Sequence, residues 1–158
     1  MATTDPTSDE LRVLLDKQAI TEVLHRYCIA LDSKDREMGY SVWHPDGTAK
    51  YEGMFEGTGH EFIDFGIGGH ETALPVSSHQ LTNIVIEVDG DHATSVSYVT
   101  AASSMAGTDR VYFIKGQYHD TWSRRDGNWR IAERRFATDL WYLAPLNHDL
   151  MPAMESPA

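Results

Sequence analysis

The stretch that decides the fold is Ser77-Ser78-His79-Gln80-Leu81-Thr82-Asn83-Ile84-Val85-Ile86-Glu87-Val88-Asp89-Gly90-Asp91. Here the apolar period becomes two, the period of a strand. Counting in twos puts His79, Leu81, Asn83 and Val85 on one face, and Thr82, Ile84, Ile86 and Val88 on the other. Asp89-Gly90-Asp91 then reads as a hairpin turn, because glycine supplies the positive φ that a tight turn demands. Long strands follow over His92 to about Met105, Arg110 to Arg124 and Trp129 to Thr138. Ala106-Gly107-Thr108-Asp109 and Arg125-Asp126-Gly127-Asn128 turn between them. Strands joined so tightly form an antiparallel meander, since parallel neighbours need a long crossover.

Toward the N-terminus the period is three to four. Thr7-Ser8-Asp9-Glu10 fits a capping box, and a helix is expected from Asp9 to Leu31 with Val13, Ile20, Val23, Leu24, Tyr27 and Leu31 as its apolar stripe. Asp32-Ser33-Lys34-Asp35 breaks that pattern. Asp35 can cap a second helix, Arg36 to about Trp43, which Pro45-Asp46-Gly47 ends. Thr48-Ala49-Lys50-Tyr51-Glu52 is a short strand, Gly57-Thr58-Gly59 a turn, and His60 opens a third helix. Gly66, Gly68 and Gly69 weaken its far end by about 1 kcal/mol each relative to alanine. The apolar tail Leu140-Trp141-Tyr142-Leu143-Ala144-Pro145-Leu146 is expected to pack back onto the body. The reading is one α+β domain over 7–146, with flexible ends at 1–6 and 152–158. A curved antiparallel sheet wraps a long N-terminal helix as a cone, and its open end offers a pocket. Ile84 and Ile86, on the sheet's outer face by this count, imply a homo-oligomer, a dimer or trimer.

The chain has 158 residues, enough for one real core, with 41% apolar and 23% charged residues. Its net charge of −11 argues against nucleic acid and against anionic membrane surfaces. An uncharged small molecule is the partner it suits. The single cysteine, Cys28, excludes an intramolecular disulfide and reads as a buried small residue. No apolar run spans a bilayer, and the first residues lack a signal-peptide pattern, so the expected compartment is the cytoplasm. No metal motif is present: His60-Glu61 starts no His-Glu-x-x-His, because position 64 is Asp64. The glycines at 66, 68 and 69 do not follow a strand, so no phosphate loop is read. No Gly-x-Ser-x-Gly elbow occurs. Cofactor-free chemistry is what this leaves.

Several segments carry a family resemblance: Gln18-Ala19-Ile20, Arg26-Tyr27, Leu31-Asp32, Asp35, Ser78-His79-Gln80-Leu81-Thr82-Asn83, Gly116-Gln117-Tyr118-His119-Asp120, and Asn128-Trp129-Arg130-Ile131-Ala132 with Arg135. Together they resemble the SnoaL-like polyketide cyclase family of the nuclear transport factor 2-like superfamily. The resemblance implies the cone-shaped α+β fold over about Leu11 to Thr138. One branch of that superfamily pairs an aspartate at the end of the first helix with a histidine on the next long strand. It includes bile acid dehydratase, whose spacing Tyr27 and Asp32 resemble, and hexachlorocyclohexane dehydrochlorinase, which has lysine where Tyr27 stands. A cofactor-free lyase that removes formaldehyde from a lignin-derived diarylpropane is a further relative.

The resemblance thus implies Asp32, His79 and Tyr27 as catalytic residues. A carboxylate fixes the tautomer of a histidine base and stabilises the imidazolium it forms. A phenol can hold a departing hydroxyl or an enolate oxygen. Each residue also has a structural reading: Asp32 as a turn residue, His79 as an ordinary strand histidine, Tyr27 as core. Five residues turn a helix by about 500°, leaving Tyr27 and Asp32 about 140° apart. They share a pocket only if the helix ends near Leu31 or the cavity wraps its tip. Tyr51, Asn83, Trp43, Phe62, Phe65 and Trp141 are the expected substrate-binding residues, the aromatics suiting a ring-bearing ligand. His60, His70 and His119 could also reach the pocket, but nothing in the sequence fixes them there. The implied function is a cofactor-independent lyase for a hydroxylated, hydrophobic small molecule. The rivals are an isomerase or cyclase, and a non-catalytic binding module such as a dioxygenase small subunit.

Overall fold

The computed structural model describes residues 7–146; the expected flexible ends, 1–6 and 152–158, lie outside them. Helix α1 (Ser8–Ser33) opens on a complete capping box, in which Thr7 accepts from the Glu10 backbone N–H and the Glu10 carboxylate accepts from that of Thr7. Its stripe becomes core only beyond its second turn. Ile20, Val23, Leu24, Tyr27 and Leu31 are buried, whereas Val13 is exposed together with Leu11, Leu14 and Leu15. The helix ends at Lys34, in the left-handed conformation, whose N–H reaches the carbonyls of Ala30 and Leu31.

Asp35 caps α2 (Arg36–Ser41), accepting from Met38 N at 2.9 Å. This helix stops short of Trp43, because β1 (Trp43–Tyr51) begins there and takes in Pro45-Asp46-Gly47. The break falls where the β1 register slips, between Trp43 and Thr48, a place where proline's missing N–H costs no ladder bond. The expected turn at Gly57-Thr58 is instead the end of β2 (Phe55–Thr58), and Thr58 caps α3 (Gly59–Thr72) through a second capping box with Glu61. Gly59 is needed there, since a Cβ would run into the Trp43 indole.

Strands β3 (Ser77–Asp89), β4 (His92–Ser104), β5 (Arg110–Arg125) and β6 (Asn128–Pro145) form the antiparallel meander. The sheet is mixed rather than wholly antiparallel: its order is β2-β1-β6-β5-β4-β3, and β1 lies parallel to β6. The crossover through β2 and α3 sends the chain to the far edge, so β1 can join only the last strand. The sheet is curved and unclosed, with α1 and α3 packed on its concave face around Ile20, Leu24, Tyr27, Ile63, Ile67, Trp122 and Ile131.

Three one-residue irregularities correct the counting in twos. Thr82 pairs Tyr98 while Val85 pairs Val96, so β3 carries an extra residue at Asn83, whose φ is 51°. Beyond it the faces exchange: Ile86 is core and Ile84 packs against it, so neither lies on an open outer face. The oligomer inference loses that support. In β6, Trp122 pairs Ile131 while Thr121 pairs Glu133, which turns Arg134 inward. A third slip, at Asp139, precedes the tail, which does not fold back; it extends β6 alongside β5 to Pro145, leaving Leu140, Trp141, Tyr142 and Leu143 exposed. Among the described residues no helix is long and apolar enough to cross a membrane.

Candidate active site

The cone's mouth holds a cavity of about 430 Å³. Its wall comes from Tyr27 and Leu31 of α1, Tyr51 of β1, the α3 residues Phe62, Phe65, Gly66, Gly68, Gly69 and His70, His79 of β3, and inward residues of β4, β5 and β6 including Tyr112, Tyr118 and Phe136. The lining is mostly apolar, as a site for an uncharged organic molecule must be. A Cβ at Gly68 or Gly69 would meet nothing within 4 Å, so the glycines leave clearance on that side.

At one end stand His79 and Asp32. Asp32 Oδ1 lies 2.6 Å from His79 Nδ1, and Oδ2 accepts the backbone N–H of His79 at 2.9 Å. A carboxylate can only accept, so Nδ1 carries the hydrogen and Nε2 keeps the lone pair. The His79 side chain is 9% exposed and that of Asp32 29%. His79 lines the cavity and Asp32 does not. The angular problem on α1 is thereby answered. Tyr27 faces the hollow, Asp32 points away toward β3, and the histidine passes the influence of the carboxylate inward.

At the deep end Tyr27 and Tyr51 share a hydrogen bond, oxygen to oxygen, at 2.7 Å. Tyr118 also hydrogen-bonds Tyr27, and Arg134 hydrogen-bonds Tyr51, so the three phenols form one chain of donors and acceptors along the deep wall. Tyr51 stacks on Phe62 at 3.8 Å between ring centres, and Phe55 and Phe65 continue the aromatic wall. Beneath lies Arg134, fully buried and paired with Asp120 by two bonds of 2.7 and 2.8 Å. Its guanidinium carbon sits 4.3 Å from the Tyr27 ring centre and 4.0 Å from that of Tyr118. Burial alone would push Arg134 down, but the Asp120 carboxylate outweighs it and holds the guanidinium charged. Burial also raises Tyr27, Tyr51 and Tyr118 well above the ordinary phenol range, with Arg134 pulling the other way. The phenols therefore stay protonated and act as hydrogen-bond donors.

Not every expected residue reaches the cavity. Tyr27, Tyr51, Phe62, Phe65 and His79 line it. Trp43 is core, locked beneath Gly59 and beside Arg134. Asn83 is exposed at its bulge, away from the wall. Trp141 is 62% exposed, near Tyr112 but outside the lining. Arg134, Asp120 and Tyr118 are additions that the sequence reading did not nominate; the inward alternation of Tyr118 and Asp120 on β5 was the available signal. His70 also lines the cavity, which the sequence alone left open. Among the described residues no group of three or more His, Cys, Asp or Glu is placed to hold a metal ion.

Comparison with known proteins agrees with this architecture. A solved structure described as a putative scytalone dehydratase from Novosphingobium aromaticivorans is 26% identical, over 82% of this chain and 87% of its own, with a TM-score of 0.75. LinA is 25% identical over 90% of this chain and 96% of its own, at a TM-score of 0.78. A type 2 hexachlorocyclohexane dehydrochlorinase shares the fold at a TM-score of 0.81, with 20% identity over 91% of this chain and 99% of its own. No curated protein matches the chain significantly. The family model of the SnoaL-like domain matches residues 12–135, and by that match this chain belongs to the SnoaL-like family.

Proposed function

We propose that the protein is a cofactor-independent lyase that dehydrates a hydroxylated, ring-bearing hydrophobic small molecule. The single observation behind this reading is the Asp32–His79 pair, closed at 2.6 Å on the wall of a largely apolar cavity. The similarity to dehydratase and dehydrochlorinase structures supports a lyase or isomerase type of activity on this scaffold.

In this reading His79 Nε2 takes a proton from the carbon next to the one bearing the hydroxyl. Asp32 stabilises the imidazolium that forms. The carbon–oxygen bond breaks, the Tyr27–Tyr51 pair holds developing negative charge on a substrate oxygen, and the imidazolium returns its proton to the departing hydroxyl, which leaves as water. In this reading the same imidazole serves as base and then as acid, and the protonated phenols act as hydrogen-bond donors. A second reaction uses the same parts. His79 takes the proton of a hydroxymethyl group, the adjacent carbon–carbon bond breaks, formaldehyde leaves and the carbanion is reprotonated. A lignin-derived diarylpropane would undergo this reaction. The acceptor at Nε2, aimed where an O–H could donate, favours keeping it as the second reading.

The test is a mass-spectrometric screen of hydroxylated aromatics and steroids, with Asp32→Asn as control. Asp32→Asn and His79→Ala are each expected to lower kcat by about 100-fold or more while the fold is retained. Mass loss separates water from formaldehyde, and a product of unchanged mass would mean an isomerase. Unchanged turnover in both variants would remove the mechanism.

A further inference from the structure

His70 takes no part in the mechanism above, yet it is buried on the same wall, its ring centre 5.6 Å from that of His79. Its Nδ1 lies 3.2 Å from the carbonyl oxygen of Leu31 and 3.4 Å from Ser77 Oγ. A carbonyl only accepts, so the hydrogen is on Nδ1 and the Nε2 lone pair is free. Neither histidine's Nε2 has a hydrogen-bond partner among the described residues. One end of the cavity therefore offers two neighbouring acceptor nitrogens, and no lysine or arginine lines the wall to supply them with hydrogens. None of the hydroxyls on the wall, Thr72, Ser103 and Tyr112 among them, bonds either nitrogen, so a donor on the guest can take the place.

We propose that His70 Nε2 accepts a hydrogen bond from a substrate hydroxyl while His79 faces a neighbouring position, so that the site selects compounds carrying two neighbouring hydroxyls on an apolar frame. Two lone pairs backed by the Asp32 carboxylate repel an anion or a bare carbonyl at the same place. Burial holds His70 below the ordinary imidazole range, with His79 adding to the effect, which keeps it an acceptor near neutral pH. The inference rests on the lyase reading only in placing the substrate in this cavity.

The experiment is calorimetric titration of the whole protein with three probes of the same carbon frame: phenylethylene glycol, phenethyl alcohol and phenylacetate. The glycol is expected to bind about 5- to 10-fold tighter than the alcohol, the worth of one added hydrogen bond, and phenylacetate more weakly than either. His70→Asn keeps a donor toward Leu31 but has no ε nitrogen, and should erase the preference for the glycol over the alcohol. His70→Gln, with its carbonyl oxygen near the ε position, should restore part of it; a merely structural role for His70 would not give that rescue. A preference that survives His70→Asn overturns the proposal, as does a wild type that favours the alcohol or phenylacetate, or binds none of the three. In those cases the turnover screen with Asp32→Asn still decides separately whether the protein is a lyase.

Discussion

A guanidinium stripped of its carboxylate in an apolar core is an isolated charge, and Arg134 with Asp120 is where this molecule runs that risk. Arg134→Ala should leave Asp120 uncompensated and cost about 3–5 kcal/mol, read as a fall in the urea midpoint. Arg134→Met together with Asp120→Leu, filling the same space without charge, should recover much of that loss. His70 gives a second expectation. Burial sets it below the ordinary imidazole value of 6.5, so near that pH the unfolded chain takes up a proton that the folded chain refuses. Stability then falls as pH falls from 6.5 to the lower folded value, and this group contributes no slope above that window. His79, Asp32 and Lys34 face it and set the depth of the effect. Denaturant midpoints between about pH 7.5 and pH 5.5 should decline in the wild type and decline less in His70→Asn. At this scale the Asp32–His79 juxtaposition was expected from the family resemblance, and the two side chains meet at 2.6 Å. Arg134 was not expected. A charged residue beside Arg135 on a strand reads as solvated until its register is known.

Among the elements, β3 and β6 show why alternation alone misplaces side chains. β3 contains one extra residue and β6 two, and each extra residue moves everything beyond it to the opposite face. Asn83 marks the first: asparagine tolerates the positive φ that its bulge demands, while a β-branched residue does not. Asn83→Val should cost about 1–2 kcal/mol, and Asn83→Gly should cost little, both measured by thermal melting with the cavity's ligand affinity unchanged. The helices were more legible, since the Thr7 and Asp35 caps lie in the local sequence. The Gly57-Thr58-Gly59 segment misled for the converse reason. Gly59 answers to a tertiary neighbour, the Trp43 indole, and not to a turn.

For the whole molecule, the α+β class and the helix inside a curved sheet followed from the change of period, while the parallel β1–β6 pairing did not, because nothing local announces a long-range neighbour. The convex face still carries apolar side chains: Val85, Tyr98, Leu140 and Tyr142 are 62%, 43%, 50% and 39% exposed. On that account, and no longer on Ile84 and Ile86, a dimer or trimer is expected by light scattering at micromolar concentration, and a monomer mass would refute it. The strand order carries a consequence for biosynthesis. β1 and β2 meet the rest of the sheet only through β6, the last of the six described strands in chain order. Tyr51 therefore joins the sheet opposite the histidines only after β6 has emerged, and until then the nascent chain holds an open half-cone. Truncation within that strand would cost the protein its binding chamber before it cost the meander its hairpins.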